Sequence, residues 1–335
     1  MPRQSLAKNW LANELNIAYQ DWQPLPGDAS TRSFYRCKDH TRPYIIMDSV
    51  HAHDNLPAFL AIAGHWRDLK VPVPEIIAVH PEGLVLMSDL GQHDLLSKLN
   101  PETVEPYYRQ AFEHILAFQP HHNITGYALR SFVKDVFPLE FALFKEWFLE
   151  KYLGLRLTSQ EEACLAMVYA DLEQVLAAQP EQVVHRDFHA RNLMLNAENR
   201  LGIVDFQDAV LGPCSYDLMS LIQDAYVQWP LPQVETWIAQ FYQQLPAALQ
   251  QPGFAAFQAG AWKVSLQRHL KILGIFARLG LRDKKTRYWA DLPRVWHYTL
   301  AEVARFPEYK AFGDFLAQRV APVFLAKQGA PSYAT

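Results

Sequence analysis

The stretch "HRDFHARNLMLNAENRLGIVDFQD" (185–208) decides the fold expected for this chain. Two short apolar runs, "NLML" and "LGIVD", flank the polar turn "NAENR", a pattern typical of a β-hairpin. Asn192 opens the first run and Asp205 closes the second, so a hairpin places both at one end, next to Asp187 in the preceding loop. The sequence therefore predicts three oxygen-bearing side chains at one edge of a small sheet.

These side chains are the ones that phosphoryl transfer requires. One carboxylate orients the attacking hydroxyl and takes its proton, while an amide and a second carboxylate hold the metal that bridges the phosphates. Oxygen ligands suit a hard cation such as Mg²⁺. The pattern H-R-D-x-x-x-x-N assigns Asp187 as the catalytic base and Asn192 as a metal ligand, and Asp205 takes the place of the second metal ligand. The two linked motifs predict a phosphotransferase that uses Mg²⁺.

A transition-metal site is the competing interpretation of the same stretch. His185, Asp187 and His189 alternate along the chain, and alternate residues of an extended segment share one face, where they can ligate zinc. That interpretation gives Asn192 and Asp205 no role. For His185 we expect a hydrogen-bonded support of the loop backbone.

The rest of the chain predicts an α+β protein with two lobes. Its 335 residues are 50% hydrophobic, which suits a well-packed globular protein too long for a single core. We expect a small β-rich N-terminal lobe over residues 1–90 and a larger helical C-terminal lobe over 91–335. The pattern predicts strands at 33–37, 44–49 and 83–88, and helices at 54–69, 104–118, 131–153 and 159–178.

Composition also excludes several classes of partner. The formal net charge of -4 gives no basic stripe for nucleic acid, and no apolar run has the roughly 20 residues that span a bilayer. The three cysteines are scattered and form no disulfide framework, so we expect a reducing cytoplasm. We expect a monomer whose partner is a small molecule.

Four segments give the chain a recognisable resemblance. It resembles the aminoglycoside phosphotransferase and choline kinase superfamily over nearly its whole length, and more narrowly the bacterial N-acetylmuramate/N-acetylglucosamine anomeric kinases of cell-wall recycling. The resemblance implies a bilobal, protein-kinase-like fold with an interlobe active site, and transfer of the ATP γ-phosphate to the anomeric hydroxyl of an amino sugar. The segments are "GDASTRSFYR" (27–36), "HRDFHARNLM" (185–194), "DFQDAVLGPCSYDLMSL" (205–221) and "LQRHLKILGIFARL" (266–279).

The predicted nucleotide site lies in the first lobe. Ser30, Thr31 and Arg32 stand where a kinase keeps its phosphate-covering loop, although only one glycine is present. The strand "YIIMD" has Met47 or Asp48 where kinases carry a lysine, and the following helix contains no glutamate. We therefore expect Arg32, or less favourably Arg36, to supply the missing positive charge. In the hinge segment "LVLMSDLG" (84–91), the residues expected to contact ATP are Met87, Ser88 and Leu90.

The predicted acceptor site is basic. Arg268, His269 and Lys271 share one turn of an apolar helix, and basic groups there suit an anionic acceptor such as a lactyl carboxylate. Arg191 beside the catalytic loop fits the same argument. The other expected acceptor contacts are His189 and Asp208, and Asp217 matches the aspartate that braces the catalytic loop in the kinase fold.

Several functions stay open at this point. The favoured one is a kinase of N-acetylmuramate, N-acetylglucosamine or both. An aminoglycoside, choline or homoserine kinase is the alternative within the superfamily. The missing lysine and glutamate motivate a nucleotide-binding pseudokinase, and the histidines motivate a metal hydrolase.

Overall fold

The computed structural model describes residues 3–25, 32–50 and 55–328 of the chain. Two compact units divide it, Met1–Leu129 with His185–Ala209 and Arg130–Val184 with Val210–Thr335. The first unit thus includes the hairpin, because a short strand at His93–Asp94 pairs with Leu193–Leu195 and draws both segments together. This grouping differs from a boundary at residue 90, and the lobes 1–90 and 91–335 stay a prediction.

An antiparallel sheet forms the base of the first unit. Its strand order is β1-β2-β3-β5-β4, and the pairing of β2 with β3 and of β3 with β5 follows the chain without bulges. Val, Ile, Tyr or Phe side chains occur in each strand except β1, as expected for a pleated surface packed on at least one face. The strands are β1 (Gln20–Leu25), β2 (Ser33–Lys38), β3 (Pro43–Asp48), β4 (Ile76–Val79) and β5 (Leu84–Ser88).

The N-terminal helix α1 (Arg3–Asn9) and its π-helical extension Trp10–Glu14 cover this sheet. Trp10 and Leu11 pack with Tyr44, Ile46 and other buried apolar residues in one hydrophobic cluster. Because strand side chains alternate between faces, residues two apart along β3 point to the same face. Burying a large apolar side chain of this kind stabilises the fold by about 2 kcal/mol.

The remainder of the first unit holds two helices and the small sheet with the hairpin. The sheet runs β6-β8-β9, and β8 pairs antiparallel with β9, with Leu193 opposite Ile203 and Leu195 opposite Leu201. The hairpin predicted from the sequence is therefore confirmed. The elements are α2 (Leu56–Asp68), β6 (His93–Asp94), α3 (Val104–Phe118), β8 (Leu193–Leu195) and β9 (Leu201–Ile203).

The second unit is mostly helical. Its central element is α8, a helix of 28 residues that is buried on nearly every side and includes charged residues among those it buries. Around it pack segments 137–152, α5, α6, α7 and α9. The bounds are α4 (Phe137–Leu143), α5 (Ser159–Ala178), β7 (Glu181–Val184), β10 (Val210–Pro213), α6 (Tyr216–Ile222), α7 (Leu231–Gln244), α8 (Phe254–Leu281), α9 (Leu292–Val303), α10 (Lys310–Phe315) and α11 (Ala321–Gln328).

The predicted α+β class is confirmed, with two differences in detail. The pattern predicts a capping box from Ser159 and Glu162, but Thr158 caps α5 and Glu161 returns the bond, because the helix begins at Ser159 itself. A second pair of strands, β7 with β10, also interrupts the helices. Across the described ranges, no helix is both long and apolar enough to cross a membrane.

Candidate active site

The hairpin places the predicted metal ligands Asn192 and Asp205 at the same end of its two strands. Val204 donates its backbone N–H to the carbonyl of Asn192 at 3.0 Å, one residue beyond the paired strands, so Asp205 and Asn192 flank the same opening. The apolar residues Leu193, Leu195 and Ile203 are buried and anchor the two strands. Asn192, by contrast, is half-buried and Asp205 is exposed.

The loop that carries Asp187 is held by its own neighbours. His185 is fully buried, its Nε2 lies 2.9 Å from the Val204 carbonyl, and its Nδ1 accepts the Asp187 N–H at 3.3 Å. Asn192 Nδ2 donates to the Asp187 carbonyl at 2.9 Å. These contacts have the geometry expected of His185 as a loop support. They leave the half-buried Asp187 carboxylate on a fixed backbone, which suits a base that must meet a hydroxyl.

Asp205 adopts a strained backbone. Its φ of 64° lies in the left-handed region, which is uncommon for residues other than glycine and concentrates at functional sites. The side chain is exposed, and Oδ1 accepts a hydrogen bond from Gln207 Nε2 at 2.8 Å. Arg186 in the same loop system has a φ of 76° and donates to the Asp208 carbonyl at 3.3 Å.

Asn192 and Asp205 fit a small, hard cation. Because Asn192 Nδ2 is engaged by the Asp187 carbonyl, its Oδ1 is the atom left for a metal, and Asp205 offers a carboxylate at the same end. This is an all-oxygen donor set with few protein ligands, as Mg²⁺ prefers. Within the ranges that the structure describes, no group of three His, Cys, Asp or Glu residues could hold a metal ion.

The geometry of His185 argues against the zinc interpretation. Both of its ring nitrogens are engaged by backbone groups of the loop, so neither offers a lone pair to a metal. The alternation of His185, Asp187 and His189 therefore does not produce three ligands. The predicted role of His189 in acceptor binding stays a prediction; its side chain lies 3.5 Å from Asn192 Nδ2.

Arg32 lies close to the predicted metal ligand. It is 6% exposed, and its guanidinium carbon lies 5.6 Å from the centre of the Phe59 ring. Phe59 stacks in turn on Phe206, the residue after Asp205, with ring centres 5.0 Å apart. Burial lowers the pKa of Arg32, whereas the charges of Asp205 and Asp208 raise it. A cation therefore stands beside Asp205 although the usual strand lysine is missing.

Met47 and Asp48, which stand where kinases carry the strand lysine, make other contacts in this structure. Met47 is fully buried, and Asp48 forms a bidentate ion pair with Arg3 of α1 at 2.7 and 2.9 Å. Arg36, the less favoured phosphate candidate, pairs with Asp89 instead. Arg32 is therefore the candidate that keeps its place beside the predicted metal site. Ser30 and Thr31 lie outside the described residues.

The hinge segment leads from β5 toward β6. Met87 is buried in the sheet. Ser88 shares two hydrogen bonds with Glu75, since its N–H donates to the Glu75 carbonyl at 3.0 Å and its hydroxyl accepts the Glu75 N–H at 2.9 Å. Leu90 is half-buried, and a side chain on Gly202 would meet it at 2.8 Å. Leu90 thus packs directly on the hairpin.

The basic residues of α8 are buried and paired within the second unit. Arg268 donates to the Met219 carbonyl at 3.1 Å, and Lys271 Nζ lies 3.1 Å from Glu140. His269 is fully buried, with Nδ1 2.9 Å from Glu302 and Nε2 3.1 Å from the Gln223 carbonyl. Buried charges with partners of this kind have a structural role. Acceptor binding by these three residues stays a prediction, and these contacts do not support it.

The remaining predicted residues divide between the units. Arg191 and Asp208 are half-buried in the first unit, next to the hairpin in the chain. Asp217 is fully buried in α6 of the second unit, a placement that suits a structural role. Their roles stay predictions.

Sequence reasoning missed two features of the first unit. It did not anticipate the Phe59–Phe206 stack under Arg32, although the helical spacing of Phe59 and the position of Phe206 after Asp205 were available signals. It also missed the pairing of Arg36 with Asp89, which joins residues 53 apart in the chain. No local pattern could show that contact.

Comparison with known proteins agrees with this geometry. Residues 21–255 match the family model described as "Phosphotransferase enzyme family", so the chain belongs to that family. An N-acetylmuramate/N-acetylglucosamine kinase of Pseudomonas putida is 35% identical over 322 residues, covering 92% of this chain and 94% of that protein. A protein of the same name from Neisseria meningitidis is 32% identical over 331 residues, 96% of this chain and 97% of that protein. The resemblance inferred from the motifs is confirmed.

Solved structures share the fold. An ADP-bound aminoglycoside phosphotransferase aligns with a TM-score of 0.60 at 15% identity, over 86% of this chain and 96% of that one. An ethanolamine kinase of Plasmodium vivax aligns with a TM-score of 0.62 at 12% identity, over 91% of this chain and 87% of that one. At these identities the comparison defines the fold and nothing finer. The expected kinase-like architecture is confirmed.

Proposed function

We propose that this phosphotransferase is an ATP- and Mg²⁺-dependent kinase that phosphorylates the anomeric hydroxyl of N-acetylmuramate, N-acetylglucosamine or both. The observation that supports the proposal is the arrangement at the hairpin end, where Asp187, Asn192 and Asp205 would supply a base and two metal ligands in one short segment. The choice of acceptor rests on the names of the relatives, which are 31 to 35% identical over most of the chain.

Asp187 is the proposed catalytic base. Its carboxylate orients the sugar hydroxyl and takes its proton while the oxygen attacks the terminal phosphorus and ADP leaves. His185 and Asn192 fix the loop backbone on both sides of it, which supports this role because a small displacement of a base costs much of its effect. The bound Mg²⁺, held by Asn192 Oδ1 and Asp205, would neutralise charge on the phosphates.

Arg32 is the proposed replacement for the kinase lysine. Its position over Phe59 and its electrostatic interaction with Asp205 and Asp208 support a role beside the phosphates. When the nucleotide binds, its phosphates add negative charge at the place where the buried guanidinium already stands, so the cation gains a stronger counter-charge. Unchanged Michaelis constants for ATP and unchanged turnover in Arg32→Ala would remove this assignment.

The hinge segment (84–91) is the proposed binding site for the adenine base of the nucleotide. Met87 would line the adenine, and the backbone of Leu90 would bind its edge. Ser88 is less suited to donate from its backbone because its N–H already bonds to Glu75. The acceptor would be recognised beside the loop by His189, Arg191 and Asp208, with Arg191 as the candidate for an acidic acceptor.

The proposed setting is the cytoplasm, with the protein as a monomer. Cys37, Cys164 and Cys214 form no disulfide in the part of the chain that the structure describes, which supports a reducing compartment. The mass in solution, measured by light scattering during size-exclusion chromatography, tests the monomer.

The decisive experiment for the function is product identification. The protein is incubated with Mg-ATP and, separately, N-acetylmuramate, N-acetylglucosamine, an aminoglycoside, choline and homoserine, and the phosphate is located by phosphorus NMR. The proposal predicts an anomeric sugar phosphate from one or both amino sugars, and none from Asp187→Asn. A product from choline, homoserine or an aminoglycoside alone would assign the alternative kinases. ATP binding with no product in any arm would indicate a pseudokinase.

A further inference from the structure

Arg36 on β2 holds the segment that follows β5. Its guanidinium donates to both carboxylate oxygens of Asp89, at 2.6 and 3.1 Å, and to the backbone carbonyl of Gly91 at 2.8 Å. Asp89 Oδ1 also accepts the Gly91 N–H at 3.0 Å. The side chains of Arg36 and Asp89 are only 17% and 4% exposed. A bidentate pair shielded in this way fixes geometry as well as adding energy.

These contacts single out the backbone of Leu90. The polar backbone groups of Gly91 are engaged by Arg36 and Asp89, and the N–H of Ser88 is engaged by Glu75. Over the part of the chain that the structure describes, neither the N–H nor the C=O of Leu90 has a hydrogen-bond partner. One donor and one acceptor side by side match the edge of a purine base.

The hairpin supports the same segment from another side. A Cβ atom on Gly91 would stand 2.0 Å from the Leu195 carbonyl oxygen, and one on Gly202 would stand 2.8 Å from the Leu90 side chain. Gly91 has a φ of 121°, which residues with side chains rarely adopt. Leu90 is therefore packed between the hairpin and the contacts of Arg36, with little freedom to move.

We propose that Arg36 is a positioning residue for the nucleotide base. Through Asp89 and Gly91 it holds the Leu90 N–H and C=O in the geometry that pairs with adenine. The inference rests on the proposed use of a nucleotide, but it does not depend on the identity of the acceptor. The two arginines would then have separate roles. Arg32 would interact with the phosphates of the nucleotide, and Arg36 would position the backbone that binds its base.

The test compares ATP with adenosine, which has no phosphates. In Arg36→Gln the affinities for adenosine and for ATP should fall by the same factor, about tenfold, because the lost hydrogen bonds to a charged group act on the base only. Calorimetry without acceptor measures both. Inhibition by tripolyphosphate and turnover at saturating ATP should stay within about twofold. Lys38→Gln is the matched control, since Lys38 lies on the same strand and its one ion pair among the described residues is with the exposed Asp21.

Three results would overturn the proposal. If ATP binding weakens while adenosine binding does not, Arg36 acts on the phosphates. If neither changes, the contacts do not position the base. If the wild-type protein binds neither ligand, the nucleotide site itself is wrong, whereas a missing sugar phosphate with normal adenosine binding refutes only the acceptor. Should Arg36→Gln fail to fold in a thermal melt, Arg36→Lys and Asp89→Asn replace it, with the same equal loss for both ligands expected.

Discussion

The hairpin loop of the first unit and helix α8 of the second unit both contain several polar residues, but they differ in how far these residues are exposed and paired. The loop keeps Asp187, Asn192 and Asp205 at least partly accessible, and Asp205 has a backbone conformation that costs energy. Helix α8 buries its charged residues and pairs His269 with Glu302. From this contrast we expect the accessible loop residues to act in the chemistry and the buried, partnered residues of α8 to contribute to stability.

Asp187→Asn gives the sharpest test of the loop side. We expect turnover to fall by about a thousandfold, because general base catalysis contributes roughly that much. The affinity for ATP should change less than about twofold, since the nucleotide does not need the base. Kinetics and calorimetry on the purified variant measure both. Glu198→Gln, in the exposed turn of the same hairpin, is the control and should keep full activity.

Glu302→Gln tests the helix side. Replacing Glu302, the buried hydrogen-bond partner of His269, should lower the free energy of unfolding by about 3 kcal/mol, because a buried polar group would lose its partner. Urea denaturation measures the loss, and Glu235→Gln, whose carboxylate pairs with Arg305 at the surface, should cost less than about 1 kcal/mol. If Glu302→Gln instead raised the Michaelis constant for the amino sugar at unchanged stability, the predicted role of His269 in acceptor binding would regain support.

Asp205→Asn separates the contribution of the Asp205 carboxylate from that of its strained backbone conformation. Asparagine tolerates the left-handed conformation as well as aspartate does, so the fold should persist and the unfolding midpoint should not move. Turnover should fall by about a hundredfold, and more Mg²⁺ should be needed for half-maximal activity, because a neutral amide binds the cation less well. A magnesium titration of the rate checks this. An unchanged magnesium requirement would take Asp205 out of the metal site.

The half-buried His114 and the fully buried His269 extend the comparison to the dependence of stability on pH. Burial, with a smaller contribution from nearby Arg200, lowers the pKa of His114 to about 4. The Nε2 atom of His114 has no hydrogen-bond partner among the described residues, whereas both ring nitrogens of His269 have one. Between pH 6.5 and 4 the unfolded chain therefore binds a proton at His114 that the folded chain does not, so stability falls as the pH falls.

The size of the expected loss of stability follows from this pH range. Between pH 6.5 and 5 this one group should lower the free energy of unfolding by about 2 kcal/mol, since each unit of pH is worth about 1.4 kcal/mol. Urea denaturation at both pH values checks it. His114→Gln should lose that part of the pH dependence, and the exposed His121→Gln should keep it. An identical slope in His114→Gln and the wild type would contradict the assignment.

The sequence predicts what depends on local pattern. The hairpin, helix α5 and helix 104–118 appear where the periodicity places them, because their apolar spacing and turn residues are continuous in the chain. The sequence did not reveal β1, an edge strand that contains Pro24, or the pairing of β7 with β10, whose partners are four-residue strands far apart in the chain. Strands this short contain too few residues to show a clear alternation of apolar and polar side chains.

The candidate site shows the same limit. Asp187, Asn192 and Asp205 could be predicted as a set because fixed spacing in the sequence joins them. The basic turn of α8 suggested a binding surface, but its long-range partners Glu140 and Glu302 are invisible in local sequence. The contact of Arg36 with Asp89 likewise could not be predicted, since the two residues lie 53 apart in the chain.

The central claim is that loop residues carry the chemistry and helix residues carry stability. A crossed measurement tests it most directly: turnover and free energy of unfolding, determined together for Asp187→Asn and Glu302→Gln. The account predicts that Asp187→Asn loses turnover with a change in stability below about 1 kcal/mol, and that Glu302→Gln loses stability with turnover within about twofold. Retained turnover in Asp187→Asn, or a loss of turnover without a loss of stability in Glu302→Gln, would contradict it.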